Sequence, residues 1–299
     1  MKFSTSVAFL FVGLARSTNV VLTNDDGWAV AMIRAQNTAL LNAGYDVVLS
    51  SPAQDESGTG TSTAPPTVLT EPCEFNTCPT GSPPEGFNAS DPRLNYVNSF
   101  PVDAVSFGIQ TLAPQFFGGP PDFVVSGPNV GNNIGPGVIG SGTVGAACEA
   151  ALLGVPSVAF SAEGVSQVAY TDLANNDTDT VTAEIAAALT VKFLDALLAD
   201  GKPYLPSGVS LNVNFPNCSS PSEVKFLFTR LAFNLSATDV ETCGTDHLPS
   251  EIEVAAIDLL TSGCFATVSV MNATTITDVD ATTQAFVLNR LPGFFSCLL

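Results

Sequence analysis

What most constrains the fold is an alternation running through the first two-thirds of the chain. Short apolar runs rich in β-branched residues are separated by stretches of helical spacing. "NVVLT" (19–23), "YDVVLSS" (45–51), "PDFVVSG" (121–127), "PSVAFSA" (156–162) and "GVSLNVNFP" (208–216) read as buried strands. Between them, "MIRAQNTALLNAG" carries apolar Met32, Ile33, Ala39, Leu40 and Leu41 and stops at Gly44, as a helix with its C-terminal cap does. "PVDAVSFGIQTLA" (101–113) opens on a proline suited to the first helical position. "AACEAALLG" and a longer stretch from about Asp179 to Asp200 continue the pattern. Strands that alternate with helices predict an α/β fold with a doubly wound, mostly parallel sheet. Residues 52–95 are rich in Pro, Gly, Ser and Thr and predict loop, with one strand near Thr67–Thr70. From about Lys225 onward, "KFLFTR" and "CFATVSVMN" read as strands without helices between them, which predicts an antiparallel C-terminal extension or arm. The expected organisation is one domain over 18–299, with a core at 19–216 and a divergent extension at 217–299.

Residues 1–17, "MKFSTSVAFLFVGLARS", read as a secretory signal: Lys2, an apolar core from about Val7 to Leu14, then Ala15-Arg16-Ser17. A membrane anchor would need roughly 20 apolar residues. Sequons at Asn88, Asn176, Asn217, Asn234 and Asn272 agree with an extracellular or cell-wall location. So do seven cysteines, an odd number. Cys73 and Cys78 predict a local clip. Cys218, Cys243, Cys264 and Cys297 can form two more bridges, and Cys148 reads as a small buried thiol. A formal charge of −19 without a basic stripe excludes nucleic-acid polymers as partners and argues against anionic membranes.

The chemistry concentrates where strands end. In an open parallel sheet, ligands bind beyond the carboxyl ends of the strands. Asn24-Asp25-Asp26-Gly27 follows the first strand, "SPAQDESGTG" the second and "SGPNVGNN" the third. Adjacent carboxylates with hydroxyl and amide oxygens nearby form an all-oxygen set suited to Mg²⁺, Mn²⁺ or Ca²⁺. A tight turn also accommodates Asn-Asp-Asp-Gly, but a turn does not require both acids at the ligand rim. Zinc is disfavoured, because His247 is the one histidine and the cysteines lack metal spacing.

Gly140-Ser141-Gly142-Thr143-Val144-Gly145 matches G-x-G-x-x-G, and Glu163 follows near the spacing of a ribose-binding acid. Three readings stand: a phosphate cradle at a helix N-terminus, glycines for close packing, and a dinucleotide fingerprint. Against the last, Gly140 begins about 13 positions after Gly127 instead of directly after its strand. No G-x-S-x-G elbow or Walker pattern occurs, and His247 reads as a surface loop residue.

Taken in series, "VLTNDDG", "SPAQDESGTGTS", "FPVDAV", "PDFVVSGPNVGNNIG", "SGTVGAACEAALLGVPSVAFS" and "LNVNFP" resemble the survival protein SurE family of metal-dependent nucleotidases and acid phosphatases. The resemblance covers roughly residues 19–216. It implies a Rossmann-like sheet and one divalent cation, Mg²⁺ or Mn²⁺, held by Asp25, Asp26, Ser57 and Asn129. It also implies phosphate contacts from Asn133, Ser141, Gly142 and Thr143, with Asn24 joining the substrate-binding set. Asp25 and Asp26 are the implied catalytic residues, Asp25 nearest the attacking water as base or as ligand. A homodimer or homotetramer is implied as well. Gln54-Asp55-Glu56 stands where members often carry arginines, Pro128 replaces an aliphatic residue and Gly137 an acid.

The expected function is a secreted, divalent-metal-dependent hydrolase of small phosphomonoesters. The alternative is a secreted non-catalytic protein that keeps the pocket for a phosphorylated or sugar ligand. A dinucleotide-dependent redox protein is a third.

Overall fold

A computed structural model describes residues 17–298. The signal reading therefore lies outside the described residues, apart from Ser17. The elements run β1 (Asn19–Thr23), α1 (Ala31–Asn42), β2 (Asp46–Pro52), β3 (Glu85–Asn88), β4 (Asp91–Val97), α2 (Pro101–Phe107), α3 (Ala113–Phe117) and β5 (Phe123–Val130). They continue α4 (Gly137–Gly140), α5 (Gly142–Leu152), β6 (Ser157–Ala162), α6 (Thr178–Leu198), β7 (Val209–Phe215), β8 (Lys225–Thr229), α7 (Glu251–Thr261), β9 (Phe265–Asn272), β10 (Thr277–Asp278) and α8 (Ala281–Arg290).

The sheet has the order β10-β9-β7-β6-β5-β1-β2-β4-β3, with β8 pairing β9 beside that path. The strands from β7 across to β4 are mutually parallel. Val20, Val21 and Leu22 of β1 and Val47 to Leu49 of β2 are buried, as central strands covered by helices on both faces must be. β1 has β2 on one side and β5 on the other. The chain winds outward in opposite directions from this pair, so the crevice at their carboxyl ends is the topological switch point. α1 ends where Gly44 takes φ +92°, a conformation that costs glycine no Cβ clash.

Two expectations need correction. No strand forms at 67–70. Leu69 N–H instead donates to Ser82 O in a loop, and the hairpin β3–β4 supplies the missing strands. β4, "DPRLNYV", looks like loop sequence in isolation, and its conformation is set by parallel pairing with β2, Leu94 opposite Leu49. The C-terminal segment also contains two helices, α7 and α8. α7 starts on a capping box: Ser250 accepts from Glu253 N–H while the Glu253 carboxylate accepts from Ser250 N–H.

The extra C-terminal strands extend the main sheet, β9 antiparallel to β7 and β8 parallel to β9. They share its core. Phe226 stacks on Phe193 at 6.0 Å and meets Phe294 in a tilted contact at 4.7 Å, while Phe160 stacks on Phe215 at 5.6 Å. Buried Arg230 grips Asp239 through two 3.0 Å contacts and Asp278 at 3.2 Å. Disulfides join Cys73–Cys78, Cys218–Cys264 and Cys243–Cys297. Cys148 is the buried free thiol expected, with burial pushing its pKa up to about 12. Among the described residues, no helix is long and apolar enough to cross a membrane.

Candidate active site

The site starts where β1 stops. Asn24, Asp25 and Asp26 are buried at its carboxyl end, and Asn24 Nδ2 closes the turn by donating to Gly27 O at 3.0 Å. Asn24 Oδ1 is buried without a partner. Asp25 accepts from Thr143 Oγ1, and the same hydroxyl lies 3.4 Å from Asn129 Oδ1. Asp26 Oδ2 accepts from Val130 N–H at 3.0 Å, and its Oδ1 from Gln167 Nε2 at 2.9 Å. Among the described residues, no arginine or lysine forms an ion pair with either aspartate. Burial raises both carboxyls above their usual range, and the Asp25 charge adds to the rise at Asp26.

Asn129 reaches the Thr143 hydroxyl that binds Asp25 because β5 changes course at Gly127. Pairing with β6 shifts register between Ser126 and Asn129. Gly127 holds φ +99°, and a Cβ there would lie 2.2 Å from Phe160 O. Ser141 caps α5, its Oγ accepting from Val144 N–H at 3.1 Å. Gly142 opens that helix directly against Asp25, where a Cβ would meet Asp25 Cβ at 2.8 Å. The first N–H groups of α5 have no intrahelical acceptor and lie at the positive end of its dipole. Gly145 serves close packing instead, since a Cβ there would strike Gly60 O at 2.1 Å. Glu163, the acid of the dinucleotide reading, is engaged with Asn132 Nδ2.

Asn133 is half-buried beside β6 and β7, Nδ2 donating to Ser161 Oγ at 2.9 Å and its N–H to Asn214 Oδ1 at 2.7 Å. Asn212 Nδ2 donates both to Asn133 O and to Glu251 Oε1, each at 2.8 Å. Gly135 N–H donates to Glu251 Oε2 at 3.3 Å. Glu251 thus ties the 133–135 loop to α7.

The structure brings Asp25, Asp26, Asn129, Gly142 and Thr143 together, with Ser141 and Asn133 on the adjoining loops. Ser57 lies on the loop that Glu56 N–H fastens to Asp25 O at 2.8 Å, but its own hydroxyl donates outward to Asp55 Oδ1 at 2.6 Å. Sequence reasoning missed Gln167, Ser161, Glu251 and the acid Glu74. Glu74 sits in the Cys73–Cys78 clip with Oε2 buried and unpartnered, and a Cβ on Gly27 would be 2.2 Å from it. Burial, then the charges of Asp55 and Asp26, push its pKa up to about 8. The asparagines of "LNVNFP" carried a signal: Asn212 and Asn214 alternate on one face of a buried strand.

The donors at Asp25, Asp26 and Asn129 are all oxygens, and two buried, unneutralised carboxylates fit a hard divalent cation. His247 is exposed, 3.7 Å from Asp246, and takes no part.

Glu251 yields a stability prediction. Burial raises its pKa from 4.5 to about 8. The folded state therefore holds this proton more tightly than the unfolded state, and stability falls as pH rises from about 4.5 to 8. In EDTA, Tm should decline across that window, and Glu251→Gln should flatten the decline. Scanning calorimetry at stepped pH checks this, and an unchanged slope would assign the titration elsewhere.

A doubly wound sheet with an acidic, oxygen-donor centre at its switch point and a helix N-terminus facing it defines a class of phosphate-handling α/β proteins. The chain belongs to the SurE family: the model for "Survival protein SurE" matches residues 20–238. An acid phosphatase of Yarrowia lipolytica is 34% identical, over 91% of this chain and 84% of that protein. The 5'-nucleotidase SurE of Mesorhizobium japonicum is 34% identical, over 69% of each. The crystal structure of a SurE protein from Aquifex aeolicus matches with TM-score 0.58 and 26% identity, covering 85% of this chain and 93% of that one.

Proposed function

We propose that this chain is a secreted phosphomonoester hydrolase that requires a divalent cation, Mg²⁺ or Mn²⁺. The observation that carries the reading is the buried Asp25–Asp26 pair facing the α5 N-terminus across Thr143. The names of its relatives, acid phosphatase and 5'-nucleotidase, support the reaction class. The signal-like segment, the sequons and three disulfides support secretion.

Asp25, Asp26 and Asn129 would hold the cation, with Ser57 on the neighbouring loop. The bound ion supplies Lewis-acid polarisation of a phosphoryl oxygen and charge neutralisation. The protein supplies orientation. Thr143 Oγ1 fixes the Asp25 carboxylate, while Val130 N–H and Gln167 fix Asp26. Asn133 and the N–H of Gly142 at the head of α5 present donors to the remaining phosphoryl oxygens, where charge grows in the transition state, while the Thr143 N–H holds Asp25. Water attacks phosphorus, the P–O bond to the leaving group breaks, and the alcohol departs with a proton. Asp25 is the carboxylate placed to orient the attacking water.

The test is phosphate release from p-nitrophenyl phosphate and nucleoside monophosphates, before and after EDTA, with readdition of Mg²⁺ or Mn²⁺. EDTA should abolish release and the metal restore it. Release that persists in EDTA would overturn the metal requirement. No release from any ester would move the reading to the ligand-binding protein.

A further inference from the structure

Glu251 is the first residue of α7 and is 0% exposed. Among the described residues, no lysine, arginine or histidine forms an ion pair with it. Hydrogen bonds alone hold it. Its Oε2 accepts from Gly135 N–H at 3.3 Å, and its Oε1 from Asn212 Nδ2 at 2.8 Å. The Ser269 hydroxyl of β9 also bonds the carboxyl. Ser269 stands opposite Asn212 in the β7–β9 register, and its hydroxyl lies 2.8 Å from Thr229 Oγ1 of β8. The carboxyl is therefore fixed from the sheet side, and a network of this kind holds whatever it touches on the other side.

On that other side is the loop that carries Asn133. Asn212 Nδ2 gives Asn133 O a 2.8 Å bond from the same amide nitrogen that serves Glu251. Two acceptors thus fix the orientation of Asn212, since turning the amide over would bring its oxygen against both of theirs. Asn133 is also held at its N–H by Asn214 Oδ1 at 2.7 Å. Two residues further on, Gly135 turns at φ +53° with its N–H on Glu251 and the Ile252 side chain packed against it. The Asn133 side chain itself is bonded only through Nδ2, to Ser161 Oγ at 2.9 Å. An amide nitrogen has two hydrogens, so one donor is left for a ligand.

We propose that Glu251 is a positioning residue for the reaction: through Asn212 and Gly135 it sets the 133–135 loop against the strand ends and so places the Asn133 donor on the phosphoryl group. The inference rests on the hydrolase reading above and gives a role within it to a residue 116 positions away from Gly135. Burial raises the Glu251 pKa to about 8, so near neutral pH the group carries a proton and does not repel a phosphate. Contacts to phosphate are made already in the bound substrate. A displaced Asn133 therefore shows in KM as well as in kcat.

The test uses the full chain loaded with Mn²⁺ and the variant Glu251→Gln. Glutamine keeps the shape, but its nitrogen cannot accept, so either Gly135 N–H or Asn212 Nδ2 loses its partner. KM for p-nitrophenyl phosphate and the calorimetric Kd of inorganic phosphate should both rise about fivefold. A residue that only holds the fold would lower the active fraction instead. Apparent kcat would then fall with Tm while KM and Kd stayed unchanged, and that result overturns the inference. In an Asn133→Ala background, Glu251→Gln should no longer move either constant, because the group it places is gone. Equal effects in both backgrounds overturn the inference. Should Glu251→Gln fail to fold, Ser269→Ala loosens the carboxyl from the sheet side and should raise both constants about twofold; unchanged constants overturn the inference. A parent that binds phosphate but releases none from any ester fails as a hydrolase, while the binding arm still decides on Glu251. A parent that binds no phosphate overturns both.

Discussion

Asp25→Asn should reduce kcat for phosphate release by roughly 10³-fold or more while leaving the fold intact, the scale expected when a group acting on the reacting atoms is removed. The substitution keeps the shape of the side chain and an oxygen that still accepts from Thr143 Oγ1. It removes one of two adjacent charges that are buried without an ion-pair partner among the described residues. Stability should therefore move against activity. In EDTA the variant should melt at the same temperature as the parent or higher, because one desolvated carboxylate and its repulsion of Asp26 are gone. With Mg²⁺ or Mn²⁺ present, the parent should gain more in Tm than the variant, since the ion binds the folded state of the parent more tightly. A variant as active as the parent would remove Asp25 from the chemistry. A large fall in Tm in EDTA would show instead that its carboxylate holds the fold together.

Gly127→Ala should destabilise the protein by about 3 kcal/mol and cut kcat roughly 100-fold without altering any residue of the site. Alanine at φ +99° is strained by itself, and its Cβ would meet Phe160 O at 2.2 Å and Asn129 N at 2.9 Å. Both obstacles are backbone, so relief requires β5 to move relative to β6. That movement displaces Val130, whose N–H holds Asp26, and Asn129, whose Oδ1 meets the Thr143 hydroxyl that binds Asp25. Gly154→Ala is the control. Gly154 also has positive φ, +83°, but a Cβ there meets nothing within 4 Å. It should cost only the backbone strain, about 1 kcal/mol, with kcat unchanged. If both variants melt together, the close approach to Phe160 is not what demands glycine at position 127.

The acids around Ser57 acquire their meaning from these geometries. Asp55 caps Ser57, Glu56 N–H anchors the loop on Asp25 O, and Glu74 reaches Gly27 from the disulfide clip. The loop at 54–56 thus brings carboxylates to the edge of the site.

Much of the core was legible because its local and global signals agree. β1, β2, β5, β6 and β7 are buried on both faces, so their sequences are largely continuous apolar runs, and the loop after β1 holds Asp25 and Asp26 while the end of β5 holds Asn129 at the ligand rim. α1, α5 and α6 likewise formed within a few residues of their expected spans. Elements whose conformation depends on a partner were not legible. β4 is a strand because β2 offers a free edge, and Ser57 faces Asp55 because Glu56 is tied to Asp25. Gln167 stands far from Asp26 in sequence, Ser161 from Asn133, and Glu251 from Gly135 and Asn212, and only tertiary packing brings each within hydrogen-bond distance of its partner. By itself the sequence determined the strand-and-helix order and the two carboxylates at the end of β1, since periodicity and residue chemistry are local. Tertiary structure decided which groups converge on those carboxylates, because long-range packing, not spacing along the chain, sets distances between strands.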